Sequence, residues 1–154
     1  MFGLDTLDSL FVVFAFLFQT ILIIHFAVRR WDFDTAMHFG PFVYALGIPA
    51  MGLSLVQIAA GKPWTLWLAG VLCAVWGLFG YYVEYVRHID WRAGGHAAVF
   101  AVYILLYLAT VMFYWWPLAN LYRPLWFAYA VLFVAATILN VMSHRGTSRP
   151  RRVG

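Results

Sequence analysis

The sequence has 154 residues, of which 65% are hydrophobic and only 10% carry a charge, and its mean hydropathy is +0.83. A water-soluble domain has about 25% charged residues and about 45–50% apolar ones. The chain therefore has too little polar surface to cover a soluble globule, and we expect an integral membrane protein. The net charge of +4 does not indicate nucleic-acid binding, because the positions of the basic residues have a topological explanation.

Five apolar stretches are long enough to cross a hydrocarbon core of ~30 Å as helices. None has the alternating pattern of a barrel strand. The sequence therefore predicts an all-α bundle of five transmembrane helices in a single domain, 1–142, followed by a basic tail, 143–154. A bend is expected at Pro49 in the second span. The predicted spans are about 10–28, 42–60, 64–83, 97–116 and 125–142.

The basic residues predict the orientation of this bundle. Eight arginines follow the first, third and fifth spans and so lie on one side of the membrane, whereas only Lys62 and Arg123 lie on the other. The positive-inside rule assigns the eight to the cytoplasm. We therefore expect the N-terminus outside, the C-terminus in the cytoplasm and a location in the cell (inner) membrane. The eight are Arg29, Arg30, Arg87, Arg92, Arg145, Arg149, Arg151 and Arg152.

Tryptophan and glycine give two further expectations. Most tryptophans fall at span ends, as in an interfacial aromatic belt. Trp76 is near the middle of its span, where its indole N–H needs a partner or costs free energy. Glycines in the second and third spans would let helices approach closely. These are Gly47, Gly52, Gly70, Gly77 and Gly80.

The two predicted inner loops share a pattern of residues. The first reads "VRRWDFDTAMH" over 28–38, and the second reads "VRHIDWRAGGH" over 86–96. Val, Arg, Asp and His recur 58 residues apart, which suggests a parallel repeat of a helical hairpin in spans one–two and three–four. Arginine at inner helix ends also follows from the positive-inside rule alone. The sequence leaves both explanations open.

Ionisable side chains collect at the predicted inner rim. His25 and Glu84 lie slightly inside the hydrocarbon edge, where an ionisable residue is a functional-site hypothesis, and we predict that they pair. Glu84 and His88 would share a helix face if the third span continues that far. The alternative is that such residues cap helices or pair with arginine. The candidate cofactor-binding residues are His25, His38, Glu84, His88 and His96.

Aromatic residues make up 20% of the chain, more than two interfacial belts require. Those within the spans could line a site for a flat apolar ligand such as a quinone or tetrapyrrole, or they could be ordinary packing. These residues are Phe14, Phe16, Phe18, Tyr44, Trp76, Phe79, Phe100, Tyr103 and Tyr107.

Three functions remain open at this point. The first is a non-catalytic accessory or assembly subunit of a larger membrane complex, with the lipid bilayer and other membrane subunits or second copies as partners. The second is a redox or sensory protein that binds haem, a divalent metal or a quinone at the cytoplasmic rim. The third is a lipid-modifying enzyme with Glu84 and a histidine as acid and base.

Overall fold

The computed structural model describes residues 4–89 and 96–145, with side chains up to Met142. It is 89% helical, and the described residues contain no strand. Seven α-helices and one π-helical turn follow each other in these two ranges. They are α1 Thr6–Trp31, α2 Phe33–Ala45, α3 Gly47–Ala59, α4 Trp64–Tyr81, the π-helical turn Tyr82–Val86, α5 Ala97–Trp115, α6 Leu118–Leu121 and α7 Arg123–Arg145.

Five segments of the described chain are long and apolar enough to cross a membrane. Helices α2 and α3 together form the second, and α4 with the π-helical turn forms the third. The prediction of an all-α protein with five spans is thus confirmed, and the composition of these helices indicates a membrane protein. The inward and outward sides and the kind of membrane stay predictions. Helix α4 is central, since it packs on α2, α3 and α5.

The first and second spans are joined by a single residue, Asp32. Its backbone N–H donates to the carbonyl of Val28 at 2.8 Å, and its carboxylate accepts from the N–H of Thr35 at 3.1 Å. The predicted start of the second span near residue 42 was therefore wrong, because the helix already begins at Phe33. The segment after α1 is acidic, so its composition resembles that of a loop. However, an aspartate N-cap with further negative charge in the first turn also stabilises the start of a helix.

The second span is broken between α2 and α3 at Leu46, whose N–H donates to the carbonyl of Val43 at 3.3 Å. Proline lacks an N–H, and its ring clashes with the carbonyl four residues earlier. For Pro49 that carbonyl belongs to Ala45, the last residue of α2. The predicted bend at Pro49 stays a prediction, but the helix is interrupted about one turn before the proline, for this steric reason.

Glycines on α4 allow the broken second span to pack closely against it. A Cβ at Gly70 would lie 2.3 Å from the carbonyl oxygen of Ala50, and one at Gly77 would lie 2.5 Å from that of Tyr44. A Cβ at Gly80 would lie 2.5 Å from the ring of Tyr44. All three values are shorter than van der Waals contact, so the close approach expected from these glycines is confirmed.

Helices α1 and α7 are joined by polar side chains in the apolar interior. Gln19 is buried; its carbonyl accepts from the hydroxyl of Tyr129 at 3.2 Å, and its amide donates to the carbonyl of Leu132 at 3.5 Å. Near the other end of the pair, Arg30 donates to the sulfur of Met142 at 3.2 Å. Because positions advance together along both helices, α1 and α7 run in the same direction.

The third span ends in an unusual way. The N–H of Arg87 donates to the carbonyl of Tyr82 at 2.9 Å, a π-type bond, and His88 then has a left-handed φ of 49°. Glu84 lies in the π-helical turn, and His88 lies beyond it. The condition under which these two residues would share an α-helical face is therefore not met, since the helix widens and ends between them.

The proposed hairpin repeat stays a prediction. Asp90, one of its matching positions, lies outside the described residues. Two other matches differ locally: His38 lies within α2, whereas His96 directly precedes α5. The arginines of the C-terminal tail beyond residue 145 also lie outside the described residues.

Candidate functional site

Glu84 forms the centre of a small polar cluster at one end of the third span. The hydroxyl of Tyr44 donates to Oε2 of Glu84 at 2.9 Å, and the hydroxyls of Tyr44 and Tyr103 are 3.1 Å apart. Since Tyr44 gives its only hydroxyl proton to Glu84, Tyr103 is the donor in the second bond. We call Glu84, Tyr44 and Tyr103 the carboxylate–phenol cluster; its members come from the π-helical turn, α2 and α5.

The local sequence explains why Tyr44 reaches Glu84. Gly80 lies one helical turn before Glu84, and its missing side chain leaves room for the ring of Tyr44, which passes over it. The break after Ala45 ends α2 directly beyond Tyr44, so that side chain lies at the junction of two helices. Tyr44 is 8% exposed, whereas Glu84 and Tyr103 are half-buried. Two residues of the cluster, Glu84 and Tyr103, are therefore partly exposed, whereas Tyr44 is enclosed.

Tyr85 stabilises the helix that carries Tyr44. Its hydroxyl donates to the carbonyl of Met37 at 2.6 Å. That carbonyl would normally accept from the N–H four residues later, but Pro41 has none. The hydroxyl also occupies the space that a side chain at Gly40 would need, since a Cβ there would lie 2.0 Å from it. Tyr85 thus replaces the hydrogen bond that the proline removes from α2.

Trp76 packs against the two tyrosine rings of the cluster. Its ring centroid lies 5.3 Å from that of Tyr44, 5.9 Å from that of Tyr103 and 6.0 Å from that of Tyr107. Phe18 of α1 packs edge-on from the fourth side at 5.8 Å. Five of the aromatic candidates, Trp76 and these four neighbours, therefore lie together.

The remaining aromatic candidates lie elsewhere. Phe14 packs on Tyr114, and Phe16 packs on Tyr129, both towards other parts of the core. Phe100 is 44% exposed. The predicted aromatic set is therefore split between one convergent group and general packing.

The four candidate histidines occupy different environments. His25 is half-buried on α1, with its ring 5.9 Å from that of Phe26. The other three are exposed: His38, whose Nδ1 lies 2.8 Å from the carbonyl oxygen of Asp34, His88 and His96. The His25–Glu84 pair stays a prediction. Within 4–89 and 96–142, no three His, Cys, Asp or Glu side chains are grouped so that they could hold a metal ion.

Sequence reasoning missed Tyr44 and Tyr103 as the partners of Glu84. It treated both as members of a general aromatic set. One local signal was available, because a glycine one turn before an acidic residue leaves room for a ring from a neighbouring helix to reach the carboxylate. The identity of that ring depends on packing between helices that are distant in sequence.

Ion pairs at the opposite end of the bundle connect α1 to the turn between α3 and α4. Lys62 pairs with Asp5 and, at 2.7 Å, with Asp8. The bond from Lys62 and the N–H of Asp8 lower the pKa of Asp5, and the two aspartates raise the pKa of Lys62. This cluster is therefore charged over a wide pH range, and it lies away from Glu84.

Comparison with known proteins gives no relative for this chain: no protein-family model, no curated protein and no solved structure matches it. Functional inference therefore depends on the geometry of the carboxylate–phenol cluster. Chemically, it offers a carboxylate acceptor and a chain of two phenols, in which each hydrogen bond polarises the next. Such a chain can bind a polar head group or exchange a proton with it.

Proposed function

We propose that the protein binds a small lipid-soluble molecule with a hydrogen-bonding head group, such as a quinone, at the carboxylate–phenol cluster. In this role it would be a redox or sensory membrane protein. The observation that carries the proposal is the 2.9 Å hydrogen bond from Tyr44 to Glu84, since an acidic side chain within a membrane span is costly and usually serves a function.

The exposure of the cluster supports a ligand that arrives from the bilayer. Glu84 and Tyr103 are half-buried, so a head group can reach the carboxylate and a phenol while its tail stays in lipid. Tyr103, the half-buried ring beside Trp76, is an aromatic surface of the kind on which a flat ring packs favourably. A few polar groups in an apolar, aromatic surrounding are typical of small-molecule sites.

Ligand binding can be measured by titrating the detergent-purified protein with a short-chain benzoquinone and recording tryptophan fluorescence. We expect saturable quenching, and about tenfold weaker binding in Glu84→Gln, which removes a charge-assisted hydrogen bond. Tyr82→Phe is the control, because this phenol is exposed on the same π-helical turn and contributes nothing to the cluster. Quenching that rises linearly and equally in all three proteins would contradict the proposal.

The same preparation distinguishes the other ligand classes. A visible Soret band, or a stoichiometric metal, that is lost in His25→Ala or His96→Ala would point to haem or metal instead of a quinone. A lipid-modifying enzyme would show turnover of phospholipid head groups that disappears in Glu84→Gln.

A second candidate function is that of an accessory or assembly subunit, and the outer surface of α7 favours it. Only 11% of the α7 span is buried within the chain. Its exposed apolar residues follow a spacing of four and three, typical of helices that pack side by side. They are Phe127, Val131, Val134, Ile138 and Val141, each between 47% and 69% exposed.

Lateral association can be tested by photo-crosslinking in native membranes. A photoreactive amino acid at position 131 on α7 should form adducts with a second copy or with another membrane protein. The same group at position 105 on α5 is the control, because Leu105 is similarly exposed at 66%. Adducts with lipid alone at both positions would rule out the subunit role for this face.

A further inference from the structure

Two donors on neighbouring helices are among the buried polar atoms that have no hydrogen-bond partner in the part of the chain that the structure describes. They are the indole Nε1 of Trp76 and the hydroxyl of Tyr107, whose residues are 2% and 5% exposed. Their ring centroids are 6.0 Å apart, with an angle of 50° between the planes. Two neighbouring helices, α4 and α5, supply them.

Burial of an unbonded donor is unfavourable, and the bilayer offers no competing water to compensate for it. Phenylalanine at position 107 would fill nearly the same space without this cost. The indole N–H of Trp76 can only donate, so the group that completes it must be an acceptor. The phenylalanine rings beside the pair, Phe18 and Phe26, have no acceptor atom and offer at most a weak ring face.

We propose that Trp76 and Tyr107 form a donor site for an acceptor oxygen that comes from outside the chain, supplied by a water molecule or by a carbonyl group of the ligand. The site adjoins the carboxylate–phenol cluster, because the ring of Trp76 contacts those of Tyr44 and Tyr103. Tyr103 and Tyr107 are also one turn apart on α5. If a ligand carbonyl supplies the oxygen, the inference rests on the proposed function. If a water molecule supplies it, the inference is independent of that function.

The indole N–H of Trp76 reports directly on this site in a ¹⁵N–¹H spectrum of the labelled protein in detergent. Its resonance is assigned by its loss in Trp76→Phe, or from Overhauser contacts to the ring protons of Tyr44, Tyr103 and Tyr107 where that variant does not fold. We expect the shift of a hydrogen-bonded indole. With water as the acceptor, the resonance has that shift without ligand, and the indole proton shows an Overhauser contact to water. With a ligand carbonyl, it appears only after a short-chain benzoquinone is added.

Tyr107→Phe tests the second donor. When the ligand supplies the oxygen, this variant should bind the benzoquinone about tenfold more weakly, while the exposed-phenol control Tyr82→Phe should not. When water supplies the oxygen, Tyr107→Phe should bind the benzoquinone with unchanged affinity, and the indole resonance of Trp76 should shift in this variant. An indole shift typical of an unbonded N–H, both with and without the benzoquinone, would overturn the inference. A water-bonded Trp76 in a protein that binds no benzoquinone would remove the proposed function and leave the donor site intact.

Discussion

Single hydroxyl groups compensate for backbone defects in this protein. Pro41 removes a donor from the middle of α2, and the hydroxyl of Tyr85 supplies one to the carbonyl of Met37 from a different helix. Gly40 provides the space in which the hydroxyl sits. A proline in a membrane helix needs compensation of this kind or a local change of helix geometry, because lipid cannot hydrogen-bond the freed carbonyl.

Tyr85→Phe should therefore destabilise the protein. The carbonyl of Met37 would lose its partner in a part-buried position, at a cost of about 1–3 kcal/mol. Unfolding in a rising mole fraction of SDS, followed by circular dichroism, measures the change. The control is Tyr82→Phe, since that side chain is exposed on the same π-helical turn. Equal stability of both variants would show that the bond to Met37 contributes nothing.

At the scale of elements, the contact between α4 and the broken second span depends on glycines. The backbones approach so closely at Gly77 that a Cβ would lie 2.5 Å from a carbonyl oxygen of α2. At the start of α3, a Cβ on Gly47 would lie 2.9 Å from the Cα of Ala74. Gly52 differs, because a Cβ there would meet nothing within 4 Å, so the close packing expected at this glycine was wrong.

The two kinds of glycine should respond in opposite ways to alanine. Gly77→Ala forces backbone apart and should destabilise by about 1–3 kcal/mol, the usual cost of overpacking. Gly52→Ala adds a methyl group in open space within a helix and should stabilise by up to about 1 kcal/mol, the helix-propensity difference between the two residues. Thermal melting of both variants in one detergent gives the comparison. Destabilisation of equal size in both would mean that helix packing is not the cause.

At the scale of the whole molecule, the ion pairs of Lys62 join the beginning of α1 to the turn between α3 and α4, the ends of two spans that are distant in sequence. The pKa of Asp5 is lowered from 3.8 by its bonds to Lys62 and to the N–H of Asp8, so its contribution is present above pH 3.8 and is lost as the pH falls through the lowered value. The pKa of Lys62 is raised from 10.5 by the two aspartates, so its contribution is present below pH 10.5 and is lost at higher pH.

Lys62→Gln should therefore lower the melting temperature between these two pH limits and have progressively less effect beyond them. The difference from the unmodified protein should also shrink at high salt, because salt screens charges near the surface and the Asp5 side chain is 56% exposed. Arg123→Gln serves as the control, as an exposed cation predicted on the same side of the membrane. A difference that is independent of pH and salt would exclude the ion pairs as its source.

The sequence predicted particular parts of this architecture well. Lipid-compatible composition and apolar runs of spanning length were enough to predict five helices, because helices satisfy their own backbone hydrogen bonds and the bilayer sets their length. The close packing at Gly70, Gly77 and Gly80 was also predictable. The start of α2 was not, since an acidic helix cap and a polar loop have similar composition.

The candidate site was predicted only in part. The depth of Glu84 was readable from its position in the third span, and this residue lies at the centre of the cluster. Its partners were assigned to histidine, because histidines are the conspicuous polar groups near that rim. Tyr44 and Tyr103 lie beside Glu84 because α2 ends at Ala45 and because Gly80 has no side chain to exclude the ring of Tyr44. The distribution of polar residues along the sequence does not indicate either contact.

The sequence by itself thus determined the class of protein, the number of helices long and apolar enough to span a membrane, and the acidic residue at the centre of the carboxylate–phenol cluster. Each of these depends on composition and periodicity along one stretch of chain. Only the tertiary structure decided that Glu84 bonds to Tyr44, that Tyr85 completes α2 and that the rings of Trp76 and Tyr107 lie buried 6.0 Å apart. These are contacts between helices far apart in sequence, and they depend on where a proline breaks one helix and a glycine opens the next.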